Sequence, residues 1–234
     1  MHTQAIKTRT FLEGENLLPF ITSYIEKIPE KSVIVITSKI VALAERRTVI
    51  IKDSKTKEEA IRAESSFALK TKYVWLTIKD GMILPSAGID ESNANGKLIL
   101  LPKDSFRSAS LIRMKLQKYY RVKNLGIILT DSRTMPLRSG VVGIALGYAG
   151  FRGLRDYRGK PDIYGRKLKF SSTDVADSLA TAAVLLMGEG DEKQPLALIQ
   201  DVPVEFCERV NRNELHIDIE DDMFKPLFQK MLRR

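Results

Sequence analysis

Five short runs of apolar, mostly branched residues limit how this chain can fold: Val33–Thr37 (VIVIT), Val74–Ile78, Leu98–Leu101, Leu125–Thr130 and Leu196–Ile199. Each is shorter than an ordinary helix, and unbroken apolarity over so few residues marks a strand buried on both faces. Between them the hydrophobic period changes. Ala109, Ile112, Leu116 and Tyr119 recur at helical spacing, as do Val175, Leu179, Ala183 and Leu186, so each set predicts a helix with one face in the core. Ser105 and Ser172 stand where N-caps are expected, and Gly188 where the second helix should stop. Another helix is predicted from Leu17 to Ile28, after Gly14 and before Pro29, and the charged stretch Asp53–Glu64 reads as an exposed helix. The two element types alternate irregularly. The expected class is therefore α/β in the mixed, α+β sense, with mixed sheets rather than the steady βαβ rhythm of a doubly wound Rossmann fold. Seven glycines between Gly140 and Gly165, with Pro136 and Pro161 nearby, predict a stretch made largely of turns and close backbone approaches.

With 234 residues, 44% of them hydrophobic, the chain fits a single domain over residues 1–234 or two small, intimately packed subdomains. Its longest weakly polar stretch, Val141–Phe151, is interrupted by glycines and falls far short of the roughly 20 apolar residues that cross a bilayer. No membrane span is expected. The start, MHTQAIKTRT, is polar where a secretory peptide is apolar, and the lone Cys207 has no internal disulfide partner, so a cytoplasmic location is expected. Thirty-eight Lys and Arg against 29 Asp and Glu leave +9, which points to a polyanionic partner: a nucleotide, a phosphorylated metabolite or nucleic acid. The basic residues are dispersed rather than gathered in one arm with interleaved aromatics, which weighs against nucleic acid. The group Lys115–Lys123 reads as a solvated helix face.

Two histidines, one of them at position 2, do not supply an imidazole-based zinc site. Cys207 and His216 stand in no motif that would make them a nucleophile and base. Oxygen chemistry remains, suited to hard metal ions and phosphates. Asp131, followed by Ser132, lies where a buried strand emerges; Asp90 and Asn93 lie in the loop SAGIDESNANG; Glu189 follows an apolar helix in MGEGDE. Arg138, Arg158 and Arg166 alternate with Asp156 and Asp162, and guanidinium forks beside flexible backbone are suited to carboxylates and phosphates. Each signal also has an ordinary structural counterpart: a turn or cap for Asp131 and Ser132, a turn for DESN, a helix C-cap for Glu189, internal ion pairs for the arginines.

An ordered series of motifs joins these residues. TSKIVALAE (Thr37–Glu45), AGIDESN (Ala87–Asn93), LLPKDSFRSASLIR (Leu100–Arg113), DSRTMPLRSGVVGIALGYAG (Asp131–Gly150), LRDYRGKPDIYGRKL (Leu154–Leu168) and VADSLATAAVLLMGE (Val175–Glu189) closely resemble the coenzyme F-420-0:L-glutamate ligase family. The resemblance implies that family's fold, a homodimer, and addition of L-glutamate to an anionic cofactor precursor. It also implies two divalent metal ions, Mn2+ or Mg2+, held by Asp90, Asp131, Ser132 and Glu189, with K+ as a further ion and GTP as co-substrate. Asn93, Ser38, Lys39 and the backbone around Met187, Gly188, Glu189 and Gly190 match the family's nucleotide contacts, and Asp90, Asp131 and Arg138 become the candidate catalytic residues. A carboxylate condenses with an amine only after its oxygen becomes a leaving group, which an acyl phosphate formed from GTP would provide.

The chain departs from the family pattern in three places. Leu43 stands where the family has a second nucleotide-contacting Lys; TRTFLEGEN replaces an apolar-proline segment at the nucleotide base; and TMPLR, with Leu137, replaces GRPWR near the expected substrate region. These leave open ATP in place of GTP and a folate-like acceptor in place of F-420-0. They also leave open a second class, a noncatalytic nucleotide- or cofactor-binding homologue; a nucleic-acid-binding protein would instead show affinity falling steeply with salt.

Overall fold

The computed structural model of the protein describes residues 1–53 and 55–227. Its strands, in chain order, are β1 (His2–Ile6), β2 (Ser32–Thr37), β3 (Thr48–Ile50), β4 (Phe67–Lys70), β5 (Trp75–Lys79), β6 (Met82–Pro85), β7 (Lys97–Ile99), β8 (Leu125–Thr134), β9 (Val141–Ala149), β10 (Leu154–Asp156), β11 (Ser172–Asp174) and β12 (Leu196–Gln200). Among the described residues the main α-helices are α1 (Leu17–Tyr24), α2 (Ser38–Ala44), α3 (Thr56–Glu64), α4 (Ser105–Tyr120) and α5 (Val175–Met187).

A five-stranded sheet in the order β1-β12-β2-β8-β9 forms the frame, and only its central β2–β8 pair is parallel. The apolar run of β2 is continuous because both faces are covered. Ile34 and Ile36 pack with α1, α2 and α4, while Val33 and Val35 pack with α5. Residues of the chain between β2 and β8 fold into a three-stranded antiparallel sheet, β4-β5-β6, and a β3–β7 pair, closed by α3 around Ile61, Ala87, Leu98 and Leu100. Leu84 and Leu101 then pack on Ile144 and Leu146 of β9, which joins this part to the main sheet. The fold is mixed α/β, as the irregular alternation predicts. Among the described residues no helix is long and apolar enough to cross a membrane.

Several local expectations are corrected. Val141–Ala149 is a nine-residue strand, not a series of turns, because its apolar residues pair with β8 from Ile127 to Thr134. Close approach is nevertheless the reason for glycine there: a Cβ on Gly143 would lie 2.5 Å from Val184 Cγ2 and 2.7 Å from the Ala180 carbonyl oxygen of α5. Helix α1 ends at Tyr24 rather than Ile28, with Ile25 already extended. Asp104 and Asp174 cap α4 and α5 in place of Ser105 and Ser172, each accepting a backbone N–H at 2.9 Å. Tyr119 and Leu186 lie outside the buried faces, 59% and 45% exposed. In α4, Arg113 turns inward instead, where its guanidinium donates to the Leu125 carbonyl and forks onto Glu208. The Val74–Ile78 run is only half-buried, since among β5's residues Thr77 alone is fully covered. Gly188 does end α5, at φ +80°. Of the charged stretch Asp53–Glu64, Thr56–Glu64 is helical with Ile61 turned inward, and Ser54 lies outside the described residues.

Candidate active site

The parallel pair at the centre of the sheet ends in a cavity of about 650 Å³. The C-terminal ends of adjacent parallel strands, where the chain turns away into loops and helices, are the usual place for a ligand crevice. Here β2 contributes Thr37 and passes directly into α2, whose first two residues, Ser38 and Lys39, line the wall. Thr130, Asp131 and Ser132 come from β8, Met187 to Gln194 from the end of α5 and its following loop, and Ile89, Asp90, Ser92 and Asn93 from the loop after β6.

Asp131 does not cap a finished strand; it sits within β8, just beyond an irregularity in the β8–β9 pairing at Leu129/Thr130. Such a bulge re-aims the side chains that follow it. The residue is half-buried and lines the cavity, and burial of its carboxyl pushes the pKa up to about 7, against the opposing hydrogen bond from the Ser132 N–H. The charges of Asp90 and Glu189 push the same way, while Lys39 opposes them. Residues from three distant segments therefore act on the Asp131 carboxyl.

Asp90 is fixed by its backbone, which exchanges two hydrogen bonds with Ile99 at 3.0 and 2.8 Å. The approach to it is unusual: Ser86, Ala87 and Gly88 all have φ between 50° and 69°, a left-handed turn in which two residues carry a Cβ. Buried Thr77 holds that turn by accepting the Ala87 N–H at 2.8 Å. The Asp90 carboxylate then accepts from the Ser92 N–H at 2.6 Å and the Ser92 hydroxyl at 2.8 Å, and pairs with Lys39 Nζ at 2.7 Å. Burial raises its pKa, but Lys39 and Ser92 outweigh that and hold it below the usual carboxylate value. Also in the cavity lining, the Ser132 hydroxyl donates to Glu189 at 2.5 Å.

Among the described residues, no three Asp, Glu, His or Cys side chains lie together as a ready-made metal cage. Chemically, however, the donors suit a hard cation: the carboxyl groups of Asp90, Asp131 and Glu189 and the hydroxyl of Ser132 line one cavity that has no thiol or imidazole. Lys39 and the Ser132 proton now meet charges that such a cation would neutralise.

The structure thus brings together Ser38, Lys39, Asp90, Asn93, Asp131, Ser132, Met187, Gly188, Glu189 and Gly190. It does not bring Arg138 to them. Arg138 is exposed on the turn joining β8 to β9, beside fully exposed Leu137, because the DSRTMPLR motif runs out along a hairpin rather than folding back. Arg158 pairs with Asp156 at 2.7 Å, which is internal ion pairing. Cys207 and His216 make no hydrogen bond to each other; the Cys207 N–H is tied to Gly150 and the His216 ring packs against Gly81. Sequence reasoning assigned no role to Ser92, whose Asp-x-Ser spacing is the pattern of a turn in which an aspartate accepts a backbone N–H two residues on. Glu192 is another such residue; its carboxylate accepts the Gly190 N–H at 2.8 Å at the cavity edge. Leu43 and the segment Thr8–Phe11 also line the cavity, so two of the three departures from the family pattern face this space.

Comparison with known proteins gives the same direction. The family model described as F420-0:Gamma-glutamyl ligase matches residues 5–80 and 64–201. A Methanococcus maripaludis (strain C7) protein named coenzyme F420:L-glutamate ligase is 32% identical over 232 residues, covering 91% of this chain and 92% of the relative. Proteins of the same name from Methanopyrus kandleri and Archaeoglobus fulgidus are similar too. The first is 40% identical over 157 residues, 66% of this chain and 62% of the relative; the second is 28% identical over 238 residues, 94% of each. With the family model matched along most of its length and a relative 32% identical across 91% of it, the chain belongs to the F420-0:Gamma-glutamyl ligase family.

Proposed function

We propose that this enzyme, a carbon–nitrogen ligase by its family, adds L-glutamate to the coenzyme F-420 precursor, with GTP as the driving nucleotide and ATP as the alternative. The observation that carries the reading is the convergence of Asp90, Asp131, Ser132, Glu189 and Lys39 on one cavity of about 650 Å³, large enough for a nucleotide's phosphates and part of an acceptor.

Asp90, Asp131, Glu189 and the Ser132 hydroxyl are the residues that would hold two divalent ions, Mn2+ or Mg2+. When bound, these would supply positive charge against the phosphates. Ser38, Lys39, Asn93 and the backbone from Met187 to Gly190 surround the nucleotide. In the reaction, an acceptor carboxylate oxygen attacks the terminal phosphorus and the bond to the nucleoside diphosphate breaks. The resulting acyl phosphate is attacked by the glutamate amine, which gives up a proton as the amide forms and orthophosphate leaves. Little covalent chemistry falls to the protein, whose part is positioning and electrostatics. Net charge +9 suits a host for three anionic reactants. A homodimer in the cytoplasm completes the proposal; exposed Ile163, Tyr164 and Phe170, on the loop between β10 and β11, are the apolar surface that supports pairing.

The test is orthophosphate release by purified protein with Mn2+ or Mg2+, K+ present or absent, GTP or ATP, glutamate and an acceptor. Release is expected only when the deazaflavin acceptor is present. A folate acceptor that works alone would move the substrate assignment, and silence with both would reject it.

A further inference from the structure

Lys39 is fully engaged by the loop that carries Asp90. Its ammonium lies 2.7 Å from Asp90 Oδ2 and 3.3 Å from both the backbone oxygen and the hydroxyl oxygen of Ser92. Three oxygens for three N–H donors leave it nothing for another ligand. Yet the pair is accessible, the two side chains being 27% and 41% exposed, and an ion pair open to solvent contributes little net stability. It is a contact the protein can exchange. What surrounds it gives a reason to exchange it: Asp131, Glu189, Asp191 and Glu192 line the same cavity as Asp90, so five carboxyl groups stand against three lining cations, of which only Lys39 is paired with one of them.

We propose that Lys39 is a tethered counter-ion, which Asp90 holds until a divalent cation takes its place and frees the ammonium for a polyphosphate in the same cavity. The inference rests on the function proposed above, because it takes Asp90 as a cation-holding residue and a polyphosphate as the cavity's occupant. It adds a coupling. A cation that displaces Lys39 from Asp90 makes the polyphosphate bind better, and by linkage a polyphosphate that captures Lys39 makes the cation bind better. The protein then resists binding either ligand alone.

A double-mutant cycle separates this exchange from simple charge repulsion. Binding of inorganic tripolyphosphate is measured by calorimetry without divalent ions on the wild type, Asp90→Asn, Lys39→Met and the double variant. Asp90→Asn is expected to bind about tenfold more tightly than wild type, within the usual range of couplings, because Lys39 is released. In the Lys39→Met background the same substitution should gain nothing. A gain that persists there would mean that Asp90 only repels anions through space, and would overturn the exchange. In parallel, Mn2+ titrations followed by electron paramagnetic resonance should show Lys39→Met binding the ion about tenfold more tightly than wild type; equal or weaker binding would also overturn it. A wild type that binds neither Mn2+ nor tripolyphosphate rejects the underlying reading of the site, whereas one that binds both with an additive cycle rejects only the role of Lys39. The variants should fold normally, since the backbone of Asp90 is held by Ile99 independently of its side chain, and superimposable thermal melts check this.

Discussion

Ser132 on β8 and Glu189 beyond α5 are 57 positions apart in the chain, yet the hydroxyl of one donates to the carboxylate of the other at 2.5 Å. The bond ties the central parallel pair to the loop after α5 within the cavity lining. Ser132→Ala should leave the fold intact, because the group is near the surface. Loss of a residue that orients another's carboxylate typically costs about 10- to 100-fold in metal affinity or activity. Mn2+ affinity and turnover should fall by that factor with little change in melting temperature; unchanged affinity would remove Ser132 from the site.

Gly143 offers a test of the scaffold. A methyl group there would meet Val184 at 2.5 Å and a backbone oxygen at 2.7 Å, and the backbone of α5 cannot move aside as a side chain can. Gly143→Ala is predicted to destabilise the protein by about 1–3 kcal/mol or more, the usual penalty of overpacking. Denaturant unfolding measures it, and a wild-type midpoint would show that α5 does not sit this close to β9.

The left-handed turn before Asp90 predicts unequal effects at adjacent positions. Ala87→Gly removes a Cβ from a conformation that costs an L-residue about 1–2 kcal/mol, against about 0.5–1 kcal/mol of added chain entropy and about 0.8 kcal/mol for the buried methyl lost from the cluster around Ile61, so stability should change little. Gly88→Ala should lose stability, since φ is +69° and its Cβ would lie 2.7 Å from the Leu101 side chain. Thermal melts of the two variants, compared side by side, check the difference; two losses of equal size would contradict the turn.

Glu64 predicts a pH dependence. Burial raises its pKa, but the hydrogen bonds and charges of Lys79 and Arg47 outweigh that and lower it below the ordinary 4.5. Lys79 lies at 2.9 Å, and the Arg47 guanidinium nitrogen reaches both oxygens at 2.7 and 2.8 Å. The folded state therefore favours the charged carboxylate. Its contribution is fully present above the unfolded-state pKa and is lost as pH falls through the lower folded value. Glu64→Gln should cost about 1–3 kcal/mol at neutral pH, typical of a hydrogen bond to a charged group, with the difference from wild type shrinking below pH 4.5. A constant difference across that range would contradict the pairing.

What could be read in advance divides along physical lines. VIVIT announced β2 because a strand covered on both faces needs an unbroken apolar run, and the α4 and α5 faces were legible from Ala109, Leu116, Leu179 and Ala183 for the same reason. Strand β9 was misread since glycine signals both turns and close packing, and only the α5 backbone over Gly143 distinguishes them. Tyr119 was expected on the buried face and is exposed, while Arg113, for which nothing was expected, turns inward because a distant partner, Glu208, makes burial of the guanidinium tolerable. The cavity residues were picked out through ordered motifs, but their pairings were not: neither Lys39 with Asp90 nor Ser132 with Glu189 leaves any local trace, as tertiary topology alone brings them together. Arg138 shows the converse hazard, a residue within a motif that the hairpin carries away from the site.

If Asp90, Asp131, Ser132 and Glu189 jointly hold cations against a polyphosphate, anomalous scattering from Mn2+ in crystals grown with GTP should locate the ions there. Peaks are expected within metal–oxygen bonding distance of those side chains and of the nucleotide's phosphates, and should be lost in Asp131→Asn. Manganese bound elsewhere, or bound unchanged in that variant, would contradict it.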